Sequence, residues 1–157
     1  MEWVFVLRWA HILGGTVLLG TGAGIAFFML MAYRSRDARV IAHTAETVVI
    51  ADFVFTLSAV VVQPVTGLLL ADAMGWSWLE GWVVLSIAIY VGVGLFWLPV
   101  VWIQIQLRDL ARAALAEGDA LPERYHRLYR IWFWCGFPAF AGVLVIIALM
   151  VVRPDIL

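Results

Sequence analysis

The sequence has no lysine and a single cysteine, Cys135. One thiol excludes an internal disulfide and any cysteine-built metal cluster. Charge is scarce as well: ten basic and eleven acidic residues amount to 13% of the chain and sum to −1. With no positive excess there is no basic field to hold nucleic acid. A phosphate-cradling glycine loop, a His-Glu-x-x-His pair and a Gly-x-Ser-x-Gly elbow are all missing, and no serine, histidine and aspartate fall at one depth. No enzyme class is assigned on this basis.

Apolar residues are what the chain has in abundance. They make up 65% of its 157 positions, and mean hydropathy is +1.00. A soluble domain holds about 45–50% apolar and about 25% charged residues. The excess is concentrated in four spans, about 5–33, 47–71, 80–107 and 129–152. A helix needs roughly 20 apolar residues to cross the ~30 Å hydrocarbon layer, whereas a strand of a membrane barrel needs only about 10 with alternating character. The first span lacks the positive lead segment of a secretory signal and is too long for one, so it reads as a retained helix. The expected fold is all-α: one transmembrane domain over 1–157, an antiparallel four-helix bundle, with a cytoplasmic helical loop at 108–128.

All ten basic residues are arginine. Arg34, Arg36 and Arg39 lie between spans one and two, and Arg108, Arg112, Arg124, Arg127 and Arg130 between spans three and four. The link around 71–80 has none. The positive-inside rule makes the arginine side cytoplasmic. The expectation is a multi-pass protein of the bacterial inner membrane with both termini outside. Gly118 is placed to stop the helix that continues span three, and Pro122 to restart the next.

Polar residues in a membrane helix are costly and each needs a reason. Counting from span midpoints at ~1.5 Å per residue sorts them into two layers. His11 falls about 15 Å above the midplane, with Thr66 and Ser86 near its height and Gln63 and Tyr90 one to two turns deeper. Asp52 falls roughly 12 Å below the midplane by the same rise. Trp102 is level with it, and Trp132, Trp134 and Gln104 are within about a turn. Asp52, Trp102, Gln104 and Arg130 are therefore the expected buried polar set, Arg130 being the cation within reach of the carboxyl. Asp52 is open to two readings, a structural ion pair or a proton or ligand site. His11 is either bonded to a neighbouring carbonyl or to Gln63, or a metal ligand. His43 and His126 lie in a different layer, so a two-histidine haem within one chain is not expected. Gly20 and Gly24 form a GxxxG step, expected to pack inside the bundle or to receive a flat cofactor or a second copy of the chain. Gln63-Pro64, Pro99 and Pro138 are expected to kink spans two, three and four.

Several segments carry a family resemblance. Leu7-Arg8-Trp9-Ala10-His11-Ile12, the glycine run to Phe27-Phe28, Ala51-Asp52-Phe53-Val54-Phe55-Thr56, Gln63-Pro64-Val65-Thr66-Gly67 and Trp97-Leu98-Pro99-Val100-Val101-Trp102-Ile103-Gln104 resemble DUF2269, a bacterial family of integral membrane proteins. That resemblance implies a four-helix membrane bundle. Span one alone is similar to the first helix of copper-resistance D-type proteins and of HemJ-type protoporphyrinogen oxidases. The second likeness implies porphyrin or haem binding at His11.

Three functions stay open at this stage. The first is a haem- or porphyrin-linked redox role, with haem b ligated by His11, Arg8 beside a propionate and Gln63 orienting the imidazole. The second is an accessory or scaffold subunit of a membrane complex. The third is a small transporter with Asp52 and Gln63 lining a pathway. The expected partners are the lipid bilayer and a second copy or another membrane subunit, and not nucleic acid.

Overall fold

The computed structural model describes residues 2–156. They form four helices: α1 Glu2–Ser35, α2 Ala38–Ala73, α3 Gly81–Glu117 and α4 Glu123–Val152. No strand occurs among the described residues. All four helices are long and apolar enough to cross a membrane. Met1 and Leu157, the end positions of the expected domain, lie outside the described residues.

Local chemistry sets the helix ends. Asp37 caps α2, its Oδ1 accepting from the backbone N–H of Arg39 at 2.8 Å and of Val40 at 3.4 Å. These are donors that the first turn cannot satisfy within the helix. Gly118 ends α3 with φ at +73°, a left-handed cap that glycine enters without a Cβ penalty. Pro122 immediately precedes α4, where its missing N–H costs nothing.

Two helices outrun the bilayer. α2 has 36 residues and α3 has 37, each about 55 Å at the helical rise, against ~30 Å of hydrocarbon. The excess lies at the arginine end. There α2 starts at 38 rather than 47, and α3 runs without a break through 108–117. Arg112 donates to Glu46 at 2.8 Å across this extension. Both side chains are about half exposed, so the pair is of small energetic weight.

The tightest packing is at the same end. Met29 and Ala32 of α1, Ile41, Ala42, Ala45 and Val48 of α2, Ile103, Leu107 and Ala111 of α3, and Tyr125, Tyr129 and Trp132 of α4 form one buried cluster. The alanines let backbones approach, which matters where van der Waals contact rather than water drives association. Tyr33 stacks on Tyr129 with ring centroids 3.9 Å apart and shares a 3.0 Å hydrogen bond with His126 Nδ1. These contacts tie the first helix to the last.

Toward the other end the bundle separates into two pairs. α1 lies against residues 57–73 of α2, and α3 against α4, while the backbones of 57–73 and 81–117 hardly approach each other. A Cβ at Gly142 would run into Val93 Cγ2, so α3 and α4 touch there. The Gly20–Gly24 step does not serve this purpose. Nothing lies within 4 Å of a Cβ at Gly20, and at Gly24 only Phe28 of the same helix, at 4.0 Å. The close approaches are made instead at Gly14 and Gly67, where partner side chains fill the missing volume.

With the α1–α2 and α3–α4 links at one end, the Met74–Glu80 turn belongs to the other. Reporters fused after Val40 and after Met74 should therefore report opposite sides of the membrane. Two reports from one side would overturn the four-span arrangement.

Candidate functional site

The polar layer away from the arginine end is a clasp between α1 and α2. His11 Nδ1 lies 3.0 Å from Thr66 Oγ1. That hydroxyl also reaches the Val62 carbonyl at 2.7 Å. A carbonyl only accepts, so the hydroxyl donates to it and His11 Nδ1 donates to the hydroxyl. This leaves Nε2 as the ring's acceptor. Gln63 Nε2 donates to the backbone carbonyl of His11 at 2.7 Å, not to the imidazole as expected. Gly67 allows a close approach here: a Cβ on it would sit 3.0 Å from His11 Cε1. A Cβ on Gly14 would clash with Gln63 Nε2. Space that the glycines leave is thus filled by Gln63 and by His11 itself. Arg8 stands at the rim, with its Nη2 3.4 Å from Met74 Sδ.

A second device spans the parted halves of the bundle. Pro64 brings no N–H to the Val60 carbonyl four residues earlier, which a helix would otherwise bond. Tyr90 of α3 donates its hydroxyl to that carbonyl. Tyr90→Phe should then cost about 1–3 kcal/mol of stability, the range for an unmet buried acceptor. In a Pro64→Ala background, where the helix supplies its own donor, the same change should cost much less. Equal losses in both backgrounds, read as thermal stability in detergent, would contradict this account.

The polar layer nearer the arginine end is built on an irregular turn. Residues Asp52–Thr56 of α2 wind as a π-helix, with the N–H of Leu57 bonding back to the Asp52 carbonyl. Such single wide turns recur at functional sites. This one turns Phe53, Val54 and Phe55 outward and buries Asp52 and Thr56. It also sits where α2 parts from α3, since residues 38–51 pack on α3 and 57–73 do not.

Three polar side chains face the Asp52 carboxyl: Thr56, Trp97 and Gln104. Trp97 and Gln104 are seven residues apart, so they share one face of α3. Asp52 is 4% exposed and Gln104 2%. Thr56 Oγ1, Trp97 Nε1 and Gln104 Oε1 are buried without a hydrogen-bond partner. Nor does a cation reach the carboxyl. The ion pairs among the described residues are Arg108–Asp109, Arg112–Glu46 and Arg130–Glu123.

Two residues expected in the buried polar set stand elsewhere. Trp102 is 56% exposed. It is five positions from Trp97, roughly 140° around the helix at 3.6 residues per turn, and so turns to the lipid side. Arg130 is exposed and lies 3.6 Å from Glu123 of its own helix, seven residues away and on the same face. Asp52 and Gln104 hold the positions expected of them. Trp97 and Thr56 were missed as neighbours. The i to i+4 spacing of Asp52 and Thr56 was the signal for one. For Trp97 there was only its depth.

Asp52 and Gln63 lie in separate layers of α2. Gln63 is eleven residues beyond Asp52 on α2, about 16 Å along the helix, and its amide is committed to His11. No group of three histidine, cysteine or carboxylate side chains able to hold a metal occurs among the described residues.

A model of a family described as predicted integral membrane protein, DUF2269, matches residues 5–154. No curated protein and no solved structure matches the chain.

Proposed function

We propose that this chain, which belongs to the DUF2269 family of predicted integral membrane proteins, takes up and releases a proton at Asp52 within the membrane, in the service of proton or proton-linked solute movement. One observation carries the reading. A carboxyl 4% exposed has no cation partner and faces the neutral side chains of Thr56, Trp97 and Gln104. An ionised carboxylate without a partner is costly inside a membrane, and a proton is the smallest charge that relieves the cost. Trp97 Nε1–H can only donate and so serves the ionised form. The Gln104 amide carries both donors and an acceptor and so can serve either form. The Thr56 hydroxyl serves either. This set suits a group that changes state better than one locked in a single bond. The split between the helix pairs opens above Asp52, on the side away from the arginines.

The test is infrared titration of the purified protein. A carboxyl C=O band that vanishes as pH rises, and is missing from Asp52→Asn, is the expected result. Absence of the band, or its persistence in the variant, overturns the reading.

Haem ligation at His11 is the alternative. Its support is the Nδ1–Thr66 bond, which leaves Nε2 available as an iron ligand in the way second-shell partners orient ligating histidines. Against it stands the filled space at Gly14 and Gly67. Adding haemin should give no Soret band that depends on His11. A band lost on His11→Ala would favour the alternative.

A further inference from the structure

A groove of ≈ 610 Å³ runs along the outside of the α3–α4 pair, away from both polar layers. We propose that it is a binding site for one anionic phospholipid of the arginine-side leaflet. Arg127 and Arg130 stand at its arginine-side end, and Ile131, Trp134 and Pro138 continue it along α4 toward the membrane centre, with Phe96 as the α3 wall. Positions 127, 130, 134 and 138 follow the three- and four-residue spacing of a single helix face. The stripe runs over positions 127–138, about 16 Å, close to the ~15 Å depth of one leaflet.

Charge and polarity are graded as in a phospholipid. The arginine-side end offers two guanidiniums, whose planar fork matches phosphate oxygens. Arg127 has no ion-pair partner among the described residues, and Arg130 has only the 3.6 Å contact with Glu123, with both partners well exposed. Beyond them the lining is apolar and open sideways. Trp134 is 68% exposed and Phe96 49%, surfaces that an acyl chain covers and a water-soluble anion does not. One turn beyond Pro138, the Gly142–Val93 contact closes the space between the helices. Basic sites at the cytoplasmic side of membrane helices hold anionic headgroups in this manner.

Cys135 lines the groove, and as the sole thiol it reports occupancy. The full chain is placed in nanodiscs of phosphatidylcholine alone or with phosphatidylglycerol. Maleimide labelling of Cys135 should be slower with phosphatidylglycerol, and native mass spectrometry should show one retained phosphatidylglycerol per chain. The double variant Arg127→Gln/Arg130→Gln should lose retention by roughly tenfold and label at the phosphatidylcholine rate. The control Arg36→Gln/Arg39→Gln removes equal charge outside the groove and should change neither readout. Equal loss in the control would mean diffuse surface charge and overturn the proposal. Protection that tracks protein concentration instead of lipid would mean that a second copy covers the groove, and would overturn it too.

Discussion

Asp52→Asn will abolish proton-linked activity and yet fold at least as well as the native chain. Reconstituted in vesicles with an imposed pH gradient, the native protein should dissipate the gradient, and the variant should match empty vesicles. Stability should move the other way because of what surrounds the carboxyl. Asparagine keeps the size of the side chain and offers both a donor and an acceptor to Thr56, Trp97 and Gln104, which face position 52. It removes a charge that no arginine balances, since Arg130 is with Glu123. Had Arg130 been the partner, as its depth suggested, neutralising Asp52 would strand a buried cation at a cost of about 3–5 kcal/mol. Thermal unfolding in detergent separates the two cases. A variant that is clearly less stable than the native chain would show that Asp52 is a structural anchor.

Gly67→Leu will have the largest effect in the half of the bundle away from the arginines. The position has no spare volume, because even a single carbon would meet His11 Cε1 at 3.0 Å. The imidazole cannot simply swing aside, as Nδ1 is held by Thr66. Nor can α1 slide, with the Gln63 amide bonded to the His11 carbonyl at 2.7 Å. Forcing a large side chain into such a contact costs about 1–3 kcal/mol or more, and it should part α1 from α2. Gly20→Leu, at a site with nothing within 4 Å, should be tolerated. Cross-linking of cysteines placed on facing turns of α1 and α2 reads the separation directly. Equal tolerance at both glycines would rule out the clasp.

Depth was legible in the sequence, and rotation was not. The four spans, the arginine-bearing end, the helix stop at Gly118 and restart at Pro122, and the isolation of Asp52 in an apolar stretch follow from composition and local chemistry. These are properties of single segments, set by transfer into hydrocarbon and by helix-end hydrogen bonding. Which face each helix turns inward depends on all four helices together. Trp97 and Trp102 are both at plausible depth, yet 140° of helix separates them, and only packing turned the first toward Asp52. Arg130 could reach inward or along its own helix, and it lies beside Glu123. The π turn at Asp52–Thr56 left no mark in the pattern, because one extra residue in a uniformly apolar run changes no hydropathy sum. It is this turn, at the point where α2 leaves α3, that buries Asp52 and Thr56 together.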